Sequence, residues 1–194
     1  MYMLFKMKIV IIEGTDNVGK DTIINRLNTD FNCNIFHCEK PPVSIEEAAE
    51  YQEKYFNRLK NLTIAEYKSK MFDCLIHNRS WYGEYVYGCM YRNNNSEDVI
   101  KLINKLEYFL LEEVNFNDIC YITLLSDNME FLSRNEDGLS LSSGKEDLIK
   151  EETERFKSIF EHSIIPNKHI VYVNNGNKFR DKDDIYNEIL SYIK

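Results

Sequence analysis

The run Lys8-Ile-Val-Ile-Ile-Glu13 leads straight into Gly14-Thr-Asp-Asn-Val-Gly19-Lys20, and no other stretch limits the folds open to this chain so tightly. A short β-branched run reads as a buried strand, and residues 21–30 have helical period, so GxxxxGK lies between a strand and a helix, the context it requires. The glycines let backbone N–H groups turn inward as an anion nest, the helix start adds positive potential, and Lys20 adds a point charge. Gly14, Asn17, Val18, Gly19, Lys20, Asp21 and Thr22 are therefore expected to hold the phosphates of ATP or a similar triphosphate. Asp21 stands where a hydroxyl residue normally touches Mg²⁺, so it is the candidate on the metal side, acting through water unless other groups place the ion. Asp16, inside the loop, suits a sugar hydroxyl or a metal ion, or closes the loop as an Asx turn.

Further β-branched runs at 34–38, 72–77, 119–125 and 169–173 alternate with helical segments at 44–60, 63–70, 96–114, 145–163 and 181–193. Ser96 is the expected N-cap of the segment at 96–114. The alternation predicts an α/β fold, a five-stranded parallel sheet with helices on both faces, whose ligands bind beyond the carboxyl ends of the strands. Segment 135–144, short of large apolar residues and holding two glycines, reads as a mobile excursion. A length of 194 residues with 43% apolar content fits one domain over 1–194.

Two more strand ends carry chemistry. The second reaches Glu39-Lys40-Pro41-Pro42, where the prolines force the chain out of regular structure, leaving the two charges to face the crevice or to form a surface turn. The third runs into Asn78-Arg79-Ser80-Trp81-Tyr82-Gly83-Glu84-Tyr85-Val86-Tyr87-Gly88. A guanidinium directly after an apolar strand is costly to bury unpaired, and a phosphate would pair it. The aromatic residues offer flat faces for a nucleobase and sugar, although helical spacing sends at least half of them into the core.

A phosphate loop after strand one, Glu and Pro after strand two and Asn78-Arg79-Ser80 after strand three together resemble the thymidylate kinase and deoxynucleoside kinase group. The resemblance implies a three-layer P-loop kinase fold with a short lid at about 135–145, ATP and Mg²⁺ as cofactors, and a small deoxynucleotide as substrate, dTMP first. It implies Lys20, Arg79, Asp16 and the lid cation Arg134 as catalytic groups, with Asn175 beside the adenine. For the acceptor it implies Glu39, Lys40, Phe56, Arg58, Arg79, Ser80, Glu84 and Tyr87, the last packing under the deoxyribose. The apolar residues of 96–114 can serve either as core or as a dimer face, and because members of the group often pair through such a helix the resemblance allows a homodimer. The deoxynucleoside kinase branch stays open, with Glu39 taking the proton of a 5′-hydroxyl; Arg58, Lys40 and Arg92, as extra cations, favour the monophosphate. Asn78 replaces the group's Asp, and together with Asp21 it keeps a third reading open, a nucleotide-binding protein without catalysis.

Charge sets the outer limits. With 24 Lys+Arg against 32 Asp+Glu the net charge is −8, which argues against DNA and anionic lipid as partners. The stretch 1–14 is interrupted by Lys6 and Lys8, so neither a signal peptide nor a membrane span is expected there. Five cysteines without a CxxC pair are expected as reduced thiols in a cytoplasmic protein.

Overall fold

The computed structural model describes residues 7–38, 45–135, 138 and 140–194. Five parallel strands form its centre: β1 (Lys8–Gly14), β2 (Cys33–His37), β3 (Cys74–Asn78), β4 (Ile119–Leu125) and β5 (Lys168–Tyr172), in the order β2-β3-β1-β4-β5. The central strands β1 and β4 read as continuous apolar runs because helices cover both faces of the sheet. Helix α1 (Lys20–Asp30) follows β1, α2 (Ile45–Ser69) precedes β3, and the short α3 (Cys89–Tyr91) and long α4 (Ser96–Glu113) lie between β3 and β4. Helices α5 (Met129–Arg134) and α6 (Glu146–His162) connect β4 to β5, and α7 (Lys182–Ile193) closes the chain.

Helices α1 and α7 cover one face, where Ile23, Ile24, Leu27, Ile185 and Ile189 pack on Val10, Ile12, Ile76, Ile122 and Leu124. On the other face α2, α4 and α6 contribute Phe56, Leu59, Ile103, Leu106 and Ile159 against Ile9, Ile11, Leu75 and Tyr121, with Trp81 and Tyr82 between them. This is the expected three-layer arrangement. Because the strand order grows to either side of β1, with β3 and β2 on one side and β4 and β5 on the other, a crevice opens at the carboxyl end of β1, where a doubly wound sheet takes its ligand.

Local expectations differ at three places. Segments 44–60 and 63–70 are one helix, α2, since no Pro or Gly interrupts it and the Thr63 hydroxyl bonds back to the Leu59 carbonyl at 2.8 Å. The cap of α4 is Asn95 rather than Ser96: its side chain accepts from the amides of Glu97 at 2.9 Å and Asp98 at 3.2 Å. After β5 the chain forms a small hairpin, β6 (Asn174–Asn175) with β7 (Lys178–Phe179), turned by Gly176 at φ +60°. Among the described residues no helix is long and apolar enough to cross a membrane.

Candidate active site

The loop after β1 is built by backbone conformations that its sequence permits. Gly14 sits at φ +139°, and a Cβ there would lie 2.1 Å from the Leu124 carbonyl oxygen, so only glycine fits. Asn17 at φ +63° and Gly19 at φ +82° turn the chain again into α1. Gly19 caps α1 without a side-chain acceptor, which leaves the first amides of the helix available to an anion. The Lys20 ammonium is buried and donates to the carbonyls of Gly14 at 2.9 Å and Thr15 at 2.5 Å, 4.0 Å from the Asp16 carboxylate. Burial, then the Arg79 charge, lower its pKa from the ordinary value to about 8.

Arg79 comes from the neighbouring strand end. Its backbone is left-handed, φ +65°, its amide donates to the Ile12 carbonyl at 3.1 Å, and its guanidinium is ion-paired with the same Asp16 oxygen that faces Lys20. The Tyr87 ring lies 5.6 Å from the guanidinium carbon, in cation–π range. Tyr87 is held edge-on by Phe156 of α6 at 5.9 Å, and among the described residues its hydroxyl has no partner. Asp21, at the start of α1, accepts from the Asn78 amide at 2.8 Å, which ties the loop to the end of β3. Over the loop α6 brings in Glu152, buried and accepting from the Tyr91 hydroxyl at 2.8 Å. Its carboxyl is raised to about 7, first by burial. A cavity of about 10 Å³, the size of one water, remains between Thr15, Asp16, Asn17, Leu132, Ser142, Ile149 and Glu152.

Residues 4–137 match the family described as Polyphosphate kinase 2 (PPK2). The chain belongs to the polyphosphate kinase 2 family. No curated protein gives a significant sequence match. Among solved structures it is similar to the YorR protein of Bacillus subtilis in complex with phosphorylated GDP, with TM-score 0.68, 14% identity and 96% of this chain covering 95% of that one. It is also similar to thymidylate kinase from Candida albicans (TM-score 0.62, 16% identity, 96% and 90% covered). Polyphosphate kinase 2 from Arthrobacter aurescens TC1 gives TM-score 0.59 at 14% identity, with 97% of this chain spanning 66% of that one. At these identities the structural likenesses speak for the P-loop kinase fold, and the family match makes the chain a phosphotransferase of the nucleotide or polyphosphate kinase type.

In this polyphosphate kinase 2 member the structure gathers Asp16, Lys20, Arg79 and Tyr87 and sends other expected site residues elsewhere. Phe56 is 2% exposed and packs in the core under α2. Arg58, two residues on and so about 200° round the helix, lies on the outer face in an open groove of about 770 Å³ with Glu50, Glu53, Lys54, Asn57, Asn61 and Leu62. Ser80 gives its amide (2.6 Å) and hydroxyl (3.0 Å) to Glu13 and has turned from the crevice. Glu84 is buried and accepts from Gln52, Arg92 and Asn94, so Arg92 is neutralised rather than presented to an acceptor. Arg134 is exposed and paired with Glu130 one helical turn back, and Asn175 is exposed on the hairpin. The Val18 side chain belongs to the core, leaving the loop only its backbone, and Thr22 is exposed on α1. Glu39, Lys40 and part of the lid at 135–145 lie outside the described residues.

Two acidic residues of the site went unread in the sequence. Glu13 is a lone charge at the end of the run Ile9–Ile12, and Glu152 sits between Ile149 and Phe156 on the buried stripe of α6. A carboxylate on an otherwise apolar stripe is the signal in both cases.

Proposed function

We propose that the chain transfers the γ-phosphoryl group of ATP to a deoxynucleoside monophosphate, dTMP first among candidates. The observation that carries the reading is the Asp16 carboxylate, which bridges the loop ammonium Lys20 and the strand-end guanidinium Arg79. The two cations are thus neighbours in one crevice, one on the donor loop and one where a recipient's phosphate would stand. An anion already pairs with Arg79, and a substrate phosphate would replace it as the partner of the guanidinium. Phosphoryl transfer asks the protein mainly to hold donor and acceptor in line and to meet the spread charge with cations. The loop's open helix N-terminus fits a triphosphate, and a lone carboxylate such as Asp21 fits Mg²⁺, which keeps waters and phosphate oxygens as its other ligands. Bound Mg²⁺ would neutralise charge on the phosphates of the donor.

ATP is preferred over polyphosphate as donor because a long polyanion needs a track of free cations. Arg79 aside, each of Arg26, Arg92, Arg134, Arg155 and Arg180 pairs with a carboxylate, and Arg58 lies in the outer groove of α2. A second reading, a deoxynucleoside with its neutral 5′-hydroxyl as acceptor, is favoured by the Glu84–Arg92 pair, which takes away a cation that a monophosphate would use. Incubation with [γ-³²P]ATP and dTMP or thymidine, and with polyphosphate in place of ATP, separates the readings. Label in dTMP alone supports the first; label in thymidine alone moves the assignment to the second; transfer from polyphosphate but not from ATP overturns the choice of donor.

A further inference from the structure

The ladder between β1 and β3 ends at the Ile12–Asn78 pair, while β1 runs on beside β4 to Gly14, so β3 turns where its regular main-chain partners stop. The Arg79 amide still reaches the Ile12 carbonyl, but the next amide, Ser80, is taken by the side chain of Glu13 at 2.6 Å, and the same oxygen accepts the Ser80 hydroxyl at 3.0 Å. Between these two anchors Arg79 adopts φ +65°, a conformation that disfavours a residue with a long side chain. Glu13 itself is 0% exposed, and among the described residues its other oxygen has no hydrogen-bond partner. A buried carboxylate with half its acceptor capacity unused is a poor way to fill a core.

We propose that Glu13 is the positioning residue for Arg79: its carboxylate grips Ser80, fixes the left-handed turn and so aims the guanidinium across the crevice at the acceptor. The assignment rests on the function proposed above for Arg79. Glu13 acts through the turn and touches neither substrate. Its partner oxygen is the one feature that a glutamine would retain.

The test is a double-mutant cycle on the full chain, comparing Glu13→Ala and Glu13→Gln in the wild-type and Arg79→Ala backgrounds with [γ-³²P]ATP and dTMP or thymidine. Glu13→Ala is expected to lower kcat/KM for the labelled acceptor by roughly 30-fold or more and to leave the KM for ATP within about threefold, since the donor loop is not its target. Glu13→Gln should recover activity to within about fivefold, and in the Arg79→Ala background Glu13→Ala should add less than about threefold. Independent, multiplying losses, or a rise in the KM for ATP matching that for the acceptor, would overturn the positioning role. If Glu13→Ala fails to fold, Glu13→Met, which fills the space without an acceptor for the Ser80 amide, supplies the same cycle. A second readout needs no turnover: the ¹⁵N-labelled Arg79 Nε–H resonance, assigned by its loss in Arg79→Ala, should be sharp in the wild type and in Glu13→Gln and exchange-broadened in Glu13→Met. An unchanged resonance in Glu13→Met refutes the clamp. A wild type that labels no acceptor but shows this pattern removes the proposed function and leaves the clamp standing.

Discussion

The two faces of the sheet are packed by different chemistry. Beneath α1 and α7 the buried side chains are almost wholly aliphatic, whereas on the side of α2, α4 and α6 the protein buries Glu13, His77, Glu84, Glu107, Thr123 and Glu152 among its aromatic residues. Every buried carboxylate costs solvation that an apolar side chain would not. The aliphatic face therefore holds the fold together, and the polar face is where stability is given up for an arrangement of charges beside the phosphate loop. Changes on the first should alter stability alone, and changes on the second should alter turnover or its pH dependence.

The sharpest way to break that division is at the loop joining the faces. Lys20→Ala should lower kcat/KM for every acceptor by roughly 10²–10⁴-fold while thermal unfolding stays cooperative, because in the proposed function the ammonium, held now by the Gly14 and Thr15 carbonyls, supplies the point charge for the transferred phosphate. Burial also sets a pH limb. With its pKa lowered to about 8, Lys20 in the free enzyme loses its proton as pH rises through about 8, so the KM for ATP should climb above that pH in the wild type. A variant whose activity persists, or one that simply unfolds, would erase the contrast between the loop and the core beneath it.

On the aliphatic face, Leu27 of α1 is buried against the sheet. Leu27→Ala should cost about 2–5 kcal/mol by lost transfer energy and the cavity left behind, measured by denaturant unfolding. Activity per folded molecule should hold. A large fall in kcat at full folding would mean that this face also tunes the site.

What could be read in advance follows the same division. The GxxxxGK loop and the five strands were legible because an uninterrupted β-branched run, glycines spaced ahead of a lysine and an amphipathic helix each leave a local mark. Arg79 was legible as a cation stranded after an apolar strand. Phe56 and Arg58 were misplaced together, although positions two apart on a helix face nearly opposite ways; the buried stripe of α2 is Gln52, Phe56, Leu59, Thr63 and Tyr67. The pairing of Arg92 with Glu84 was out of reach, since it depends on a π-helical turn at Glu84–Gly88, with Gly88 leaving room for the carboxylate. Glu13 and Glu152 could have been flagged as charges on apolar stripes, but their partners Ser80 and Tyr91 are 67 and 61 residues away in sequence.

The smallest expected effect compares two buried glutamates on the polar side. Glu107 accepts from the Tyr82 hydroxyl, the Ser163 hydroxyl at 2.6 Å and the Ile164 amide at 2.7 Å; burial raises its pKa above the ordinary value, and these three bonds and the Lys168 charge offset part of that cost. Glu152 accepts from the Tyr91 hydroxyl, and burial together with the nearby Asp16 charge outweighs that bond, raising its pKa from 4.5 to about 7. Between those two values the folded protein keeps a proton that the unfolded chain has released, so stability falls as pH rises through this window and the penalty is complete above about 7. Its size is at most about 3 kcal/mol. Glu152→Gln keeps an oxygen for Tyr91 and removes the charge, so thermal melts at pH 8 should show it more stable than the wild type, with the difference vanishing near pH 5. Glu107→Gln should instead be less stable at pH 8, because an amide group cannot accept every bond that the carboxylate does. If both variants shift in the same direction at pH 8, the two glutamates are equivalent, and the polar side loses its division into a part that braces the fold and a part that crowds charge against the loop.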